Sequence, residues 1–220
     1  MAYIDFLSSV HKSTKRDYLT RVTERPKAEV AKLAKKFDVE YWDGDRSTGY
    51  GGYKYDGRWR KVAQQMADHY RLKPGDKILD VGCGKGFLLY DFTQVVPGIQ
   101  VTGIDISRYA IEHAKEEIKD YLCINDANRL PFPSNAFDLV ISINTIHNLY
   151  CYDAYTALKE IERVGKARKY ICVESYRNEE EKVNLFYWQL TCEMFCTPKE
   201  WAWWFKQTGY TGDHSFIYFE

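Results

Sequence analysis

The stretch Lys77-Ile-Leu-Asp-Val-Gly-Cys-Gly-Lys-Gly86 joins a short apolar strand to a glycine-rich turn. Glycines in such a turn let the backbone approach a ligand and adopt conformations closed to other residues. Their spacing is G-x-G-x-G behind Asp80, and Phe87 stands where the dinucleotide fingerprint G-x-G-x-x-G needs its third glycine. The sequence also lacks the G-x-x-x-x-G-K-[ST] pattern of triphosphate-binding loops. The turn therefore predicts a nucleotide-like cofactor other than NAD, FAD or a nucleoside triphosphate.

Apolar runs and amphipathic segments alternate around this turn. Strands that alternate with helices are typical of parallel βαβ units. The sequence therefore predicts an α/β fold with a doubly wound, mostly parallel sheet. The predicted strands are 77–81, 100–104, 121–124, 137–143, 169–173 and 215–220, and the predicted helices lie near 60–71, 86–95, 108–119, 152–164, 178–195 and 198–208.

For residues 1–59 the sequence predicts an N-terminal helical segment followed by a glycine- and aromatic-rich lid loop. For residues 60–220 it predicts the cofactor-binding domain. Residues 41–60 fit neither helical nor strand periodicity, and long irregular loops are often lids or binding loops. Residues 11–36 hold nine basic residues among apolar positions at helical spacing, which favours helices with a basic solvent face over a landing surface for an acidic substrate. The nine are Lys12, Lys15, Arg16, Arg21, Arg25, Lys27, Lys32, Lys35 and Lys36.

The composition limits the classes of partner. The chain has 220 residues, 31 Lys and Arg against 31 Asp and Glu, and 45% hydrophobic residues. It can therefore bury a substantial core, and the formal net charge of +0 argues against nucleic acid as its main partner. The longest apolar run, 201–205, is far shorter than the roughly 20 residues of a membrane-spanning helix, and the N-terminus lacks the features of a secretory signal. We expect no membrane insertion and a cytoplasmic location.

The six cysteines are scattered along the chain and suit free thiols better than a disulfide framework. Cys192 and Cys196 are the closest pair, but their C-x3-C spacing has no second pair and no nearby histidine. The sequence therefore predicts no metal site.

Four motifs in register resemble the class I S-adenosylmethionine-dependent methyltransferases. Residues 78–86 are similar to their first motif, 101–107 to the acidic end of strand two, 125–127 with 130–132 to the adenine-side loop, and 137–144 to strand four. The resemblance covers residues 60–175 and implies a Rossmann-like methyltransferase fold with an N-terminal helical and aromatic-loop extension. It also implies S-adenosyl-L-methionine as cofactor. The implied cofactor contacts are Asp80, Gly82, Gly84, Gly86, Asp105, Ile106, Asp126, Ala127 and Asn144.

Several of these residues have roles that the resemblance implies. Asp105 can accept hydrogen bonds from both ribose hydroxyls, Asp126 from the adenine amine, and Asp80 can help place the methionyl ammonium. His147 follows strand four at the carboxyl edge of the sheet and is the predicted catalytic base, with a structural histidine as the alternative. Predicted substrate contacts are Arg46, Tyr50, Tyr53, Tyr55 and Arg58 in the lid loop, and Glu174 and Arg177 after strand five.

These features predict a transferase that methylates O or N of a small polar metabolite, with a sugar or nucleotide-sugar precursor of surface carbohydrate as the suggested acceptor. Two alternatives stay open: a nucleic-acid methyltransferase, although strand four does not end in N/D-P-P-Y, and a non-catalytic S-adenosylmethionine-binding partner protein. Only one clear strand, 215–220, follows strand five, where such folds usually have two. A misread strand at 189–196, another element or a partner chain in a homo-oligomer would complete that edge.

Overall fold

The computed structural model describes residues 1–11 and 16–220. Lys12 and Lys15, two of the basic residues expected on a helix face, lie outside the described residues. In the described part of the N-terminal segment the helices are α1 (Ser8–His11), α2 (Thr20–Thr23), α3 (Lys27–Ala34) and α4 (Val39–Trp42). An irregular segment follows α4 and continues to residue 59.

A six-stranded sheet forms the centre of the molecule. Its strands are β1 (Lys77–Val81), β2 (Gln100–Asp105), β3 (Leu122–Ile124), β4 (Phe137–Ile143), β5 (Gly165–Glu174) and β6 (Asp213–Ile217). They lie in the order β3-β2-β1-β4-β5-β6, and every neighbouring pair is parallel. The predicted α/β class with a mostly parallel sheet is therefore confirmed. The strand order reverses between β1 and β4, and ligands of open parallel sheets bind at such a switch point.

Helices cover both faces of the sheet because consecutive residues of the strands point to opposite sides. Ile78 of β1 packs in one core cluster with Met66, whereas its neighbour Leu79 packs in a second cluster with Leu158 and Trp201. The helix at residues 60–70 thus buries its apolar residues against the sheet, as the sequence predicts. These residues are Val62, Ala63, Met66, Ala67 and Tyr70. The helices after the N-terminal segment are α5 (Arg60–Tyr70), α6 (Phe87–Val95), α7 (Arg108–Glu112), α8 (Cys151–Val164), α9 (Glu179–Trp188) and α10 (Pro198–Thr208).

The sheet edge beyond β5 differs from the expectation. Helix α9 ends at Trp188 instead of 195, and residues 189–197 form neither helix nor strand. Two of these residues are held to the 3-10 turn that follows β4, since the backbone N–H groups of Glu193 and Met194 both donate to the carbonyl of His147, at 2.9 and 3.0 Å. No additional strand forms there in the described chain. The outer edge of β6 is instead bonded by the N-terminus, where the N–H of Ile4 donates to the carbonyl of His214 at 2.9 Å.

Three other boundaries also differ from the predicted spans. The helix predicted at 108–119 is split into α7 and a 3-10 helix at Glu116–Tyr121, because the N–H of Lys115 donates to the carbonyl of Lys85 at 3.0 Å and draws the chain inward. Strand β5 begins at Gly165, four residues before the predicted start, and β6 covers 213–217 instead of 215–220. Nowhere in the described chain is a helix both long and apolar enough to cross a bilayer.

A glycine at the start of α6 gives a test of this packing. Gly86 has φ +72°, and a Cβ atom there would lie 2.3 Å from Cδ1 of the buried Ile118. We expect Gly86→Ala to lower the free energy of unfolding by about 2 to 4 kcal/mol, because left-handed strain and overpacking add. Gly209→Ala is the matched control, with φ +71° and nothing described within 4 Å of its Cβ position, and it should lose about 1 kcal/mol. Urea unfolding measures both, and equal losses would contradict the close packing at Gly86.

Candidate active site

The glycine turn after β1 is closed from both sides. Gly84 has φ +54°, and a Cβ atom there would lie 2.7 Å from the indole ring of Trp42, which belongs to α4. The N–H of Gly84 donates to Oδ2 of Asp105 at 2.7 Å, which ties the turn to the end of β2. A side chain at position 84 would therefore displace the lid, so the glycine is required by close approach.

A cavity of about 130 Å³, the smaller cavity of this site, lies beside the turn. It brings together predicted cofactor residues from the ends of three strands and from the loop after β3. Aromatic residues of the N-terminal segment, Phe37, Tyr41, Trp42 and Tyr50, form its other wall. The predicted cofactor residues in its lining are Gly82, Asp105, Ile106, Asp126, Ala127 and Asn144.

Two buried carboxylates stand next to the turn. Asp105 accepts hydrogen bonds from the N–H groups of Gly84 at 2.7 Å and Ser107 at 2.8 Å, yet burial outweighs them and raises its pKa. Asp80 is 4% exposed and is not among the described residues that line the two cavities, and its Oδ1 has no hydrogen-bond partner in the described chain. Burial, together with the charge of Asp105, raises the pKa of Asp80 to about 8. A cation such as an ammonium group would supply the missing partner, so these residues fit a ligand with hydroxyls and a positive amine.

The larger cavity, of about 670 Å³, adjoins the smaller one. Tyr41, Tyr50 and Asn144 line both, so the two cavities meet at these side chains. Asn144 follows β4 with φ +58°, and its buried Oδ1 lacks a hydrogen-bond partner among the described residues. A strained residue with an unsatisfied polar atom at this junction points to contact with ligands.

The lid loop is fixed to the glycine turn by a buried lysine. Nζ of Lys85 donates to both carboxylate oxygens of Asp43, at 2.8 and 2.7 Å, and to the carbonyl of Tyr53 at 3.0 Å. The ring of Tyr53 stacks on Phe87 with a centroid distance of 4.9 Å. Sequence reasoning missed Trp42, Asp43 and Lys85, although a charged residue inside a glycine turn is a signal that could have drawn attention to Lys85.

The predicted base, His147, lies behind the cavity wall. Its side chain is fully buried, and His147 is not among the described residues that line the two cavities. Nδ1 accepts from the N–H of Glu174 at 3.2 Å, so the proton of the neutral ring is on Nε2, which lies 3.3 Å from Oε2 of Glu174. Burial lowers the pKa of His147 to about 3. The position of His147 therefore does not support direct contact with a substrate.

Glu174, at the end of β5, lines the larger cavity in front of His147. Its Oε1 accepts a hydrogen bond from Nε2 of Gln189, while its buried Oε2 makes no hydrogen bond of good geometry in the described chain, although Nε2 of His147 lies 3.3 Å away. Burial raises the pKa of Glu174 to about 8, although the hydrogen bond from Gln189 opposes the shift. Among the groups at this wall, Glu174 is the one placed to exchange a proton with a bound molecule near neutral pH.

The remaining predicted substrate residues divide between the cavity and the surface. Arg46, Tyr50, Tyr53 and Arg58 line the larger cavity. Tyr55 does not, because its hydroxyl donates to the buried Asp91 of α6 at 2.7 Å. Arg177 is also directed away, since it is paired with Glu181 and Glu220 and packs on Tyr218. Cavity residues that the sequence analysis did not single out as substrate contacts include Arg16, Arg21, Tyr41, Trp188 and Gln189.

Comparisons with known proteins agree with this arrangement. A demethylmenaquinone methyltransferase of Symbiobacterium thermophilum is 36% identical over 54% of this chain and 50% of its own length. A sterol 24-C-methyltransferase of Gibberella zeae is 31% identical over 52% of this chain and 32% of its own length, so the chain spans half or less of these relatives. The solved structure of the YcgJ protein from Bacillus subtilis matches the fold with a TM-score of 0.56 and 21% identity, covering 66% of both chains.

Residues 72–209 match the family described as a methyltransferase domain. This region contains the first five strands of the sheet, the glycine turn and the acidic residues of the smaller cavity. The chain therefore belongs to the methyltransferase domain family.

Proposed function

We propose that this protein is an S-adenosylmethionine-dependent methyltransferase that acts on O or N of a small polar acceptor. The observation that carries the proposal is the pair of cavities that meet at Tyr41, Tyr50 and Asn144. A cofactor held beside the glycine turn and an acceptor held in the larger cavity would face each other at this junction. Family membership supports the cofactor, and the curated relatives are named as methyltransferases.

The lining of the larger cavity supports a polar acceptor. The relatives are named for quinone and sterol acceptors, whereas this cavity is lined by several arginines together with tyrosine and tryptophan rings. Arginine forks bind carboxylates and phosphates, and aromatic rings pack against sugar or base faces. A sugar or nucleotide-sugar acceptor, which the sequence suggests, is compatible with this chemistry.

Residues beside the glycine turn would hold the cofactor. S-adenosylmethionine supplies an activated methyl group on a positively charged sulfur. Asp105 can accept from ribose hydroxyls through the lone pairs that Gly84 and Ser107 leave free, and Asp126 lines the part of the cavity suited to the adenine amine. Asp80 would accept from the methionyl ammonium, which would also favour its ionised form.

Glu174 is the group that would receive the acceptor's proton. Glu174 lines the larger cavity, and its buried Oε2 makes no hydrogen bond to a described residue and lies 3.3 Å from Nε2 of His147, whereas the other carboxylate of the cavity, Asp56, is paired with Arg58. His147 would act through Glu174 as a positioning residue, because it accepts from the backbone of Glu174 and faces its carboxylate. Desolvation of the site and alignment of the acceptor would supply the remaining rate enhancement.

The cofactor assignment predicts a loss of affinity in Asp105→Ala. We expect S-adenosylmethionine to bind the variant about 10- to 100-fold more weakly, since one or two charge-assisted hydrogen bonds are lost. Calorimetric titration measures the affinity, and circular dichroism checks that the variant is folded. Asp68→Ala, on the exposed face of α5, is the control and should bind as the wild type does. Unchanged affinity in folded Asp105→Ala would contradict the ribose assignment.

The environment of Glu174 predicts its titration. Because burial disfavours the carboxylate, we expect this side chain to be protonated at pH 6 and to ionise as the pH rises through about 8. Carbon NMR of protein labelled at glutamate carboxyls measures this, and Glu174→Gln assigns the signal. A signal that titrates near the ordinary glutamate value would contradict the buried environment.

The same titration predicts how turnover depends on pH. With an acceptor found by screening sugars, sugar phosphates and nucleotide sugars for methyl transfer, kcat/KM should rise with pH through about 8, because only the ionised carboxylate accepts a proton. Glu174→Gln should lower turnover and remove this rise, whereas Glu180→Gln, an exposed residue of α9, should keep it. A rise that persists in Glu174→Gln would exclude Glu174 as the base.

A further inference from the structure

Three guanidinium groups surround one tryptophan in the wall of the larger cavity. The Cζ atoms of Arg16, Arg21 and Arg46 lie 5.6, 5.0 and 5.4 Å from the ring centroid of Trp188. Arg21 belongs to α2, Arg46 to the lid loop and Trp188 to the end of α9, so distant parts of the chain converge here. All four residues line the cavity.

None of these three arginines has a carboxylate within 4.0 Å in the part of the chain that the structure describes. The undescribed residues 12–15 contain no acidic side chain that could supply one. The cation–π contacts with Trp188 orient the guanidinium groups, but an uncharged ring does not neutralise them. Arg58 in the same cavity differs, because it is paired with Asp56 at 2.6 Å.

Their hydrogen bonds to described residues leave donors free. Arg21 donates through Nη1 to the carbonyl of Arg46 and through Nε to the carbonyl of Trp188, and Arg46 donates through Nη1 to the carbonyls of Gly49 and Tyr50. Nη2 of Arg21 and of Arg46 has no acceptor in the described chain. The buried Nε of Arg16 also lacks a partner there.

The unsatisfied atoms of the described residues are concentrated at this cavity. Seven buried side-chain atoms have no hydrogen-bond partner in the described chain, and four of them belong to residues that line the larger cavity. Buried polar atoms are almost always satisfied, so such a concentration indicates a place where a ligand supplies the partners. The four residues are His11, Arg16, Asn144 and Glu174.

The charges of the arginines oppose one another. Burial, followed by the nearby charge of Arg46, lowers the pKa of Arg21 to about 10 although the charge of Asp45 opposes the shift, and burial also lowers the pKa of Arg46. Like charges that are partly removed from water are costly unless an anion lies between them. A ligand of opposite charge would therefore stabilise this arrangement.

We propose that Arg16, Arg21 and Arg46 form an anion subsite that binds a phosphate group of the methyl acceptor, either a phosphomonoester or a diphosphate. Three guanidinium forks match the double charge and the several oxygens of phosphate better than a single carboxylate, which one fork satisfies. The acceptor atom would then lie toward Asn144 and Glu174, which line the same cavity. The subsite rests on the proposed function for its role, because the phosphate is that of the molecule to be methylated.

Titration of the full chain with sodium pyrophosphate tests the subsite without any turnover. Tryptophan fluorescence follows binding at constant ionic strength, and sodium acetate is the carboxylate comparison. We expect pyrophosphate to bind at least about tenfold more tightly than acetate, because it engages more than one fork. Equal binding of the two anions would overturn the proposal.

Two arginine variants and one matched control locate the site. Arg16→Gln and Arg46→Gln should each weaken pyrophosphate binding about tenfold or more. Arg16→Gln removes no hydrogen bond to a described residue, so it keeps the test valid if Arg46→Gln loosens the lid. Arg108→Gln removes one positive charge from the exposed side of α7 and should leave pyrophosphate binding unchanged. Equal weakening by Arg108→Gln would overturn the proposal, since the effect would then be general electrostatics.

Titration of the same samples with S-adenosylhomocysteine separates this proposal from the proposed function. Binding of S-adenosylhomocysteine without a pyrophosphate site would overturn the subsite alone. Pyrophosphate binding without S-adenosylhomocysteine binding would overturn the assignment of the phosphate to a methyl acceptor. Binding of both, with weaker pyrophosphate binding in Arg16→Gln, is the expected result.

Discussion

The buried ammonium of Lys85 is the interaction on which the rest of the site depends. A lysine has three N–H donors, and the Asp43 carboxylate and the Tyr53 carbonyl use all of them. Although burial opposes it, hydrogen bonds from Lys85 and Tyr109 hold the pKa of Asp43 below its usual value. Because a buried ammonium without its partner is costly, the glycine turn and the lid loop are stable in this form only together. Both cavities share a wall, Tyr41 and Tyr50, that this contact keeps in place.

The two cavities are built by different parts of the chain. The glycine turn, Asp105 and Asp126 belong to the region 72–209 that matches the methyltransferase domain family, and they form the side that we propose for the cofactor. Arg21, Arg46 and much of the larger cavity come from residues before 60, outside that region. The side that we propose for the acceptor is thus largely supplied by the segment that the family match does not include. The family match therefore does not identify the acceptor of this chain.

The fold could be predicted from the sequence more fully than the residues of the larger cavity. Strand spans and the glycine turn follow from periodicity and spacing, which are local properties of the chain. Whether His147 or Glu174 is open to a ligand depends on residues 189–194, which contact both of them. These residues are distant from His147 in the sequence, so the sequence does not reveal the contact. The sequence predicts Arg21 on a solvent face, because a charge pattern does not show that Trp188 packs against it. The pairing of Arg177 with Glu181, four residues later on a helix, was by contrast a local signal.

The central claim is that a cofactor binds beside the glycine turn and beneath the lid loop. Hydrogen–deuterium exchange of the protein with and without S-adenosylhomocysteine tests it most directly, because it reports the site of binding and the response of the lid together. The account predicts slower exchange at 80–86, 104–107, 125–127 and 144–149, and also at 41–53, where the lid contributes to the cavity wall. Unchanged exchange in all these segments at saturating S-adenosylhomocysteine, or slowing confined to other parts of the chain, would contradict it.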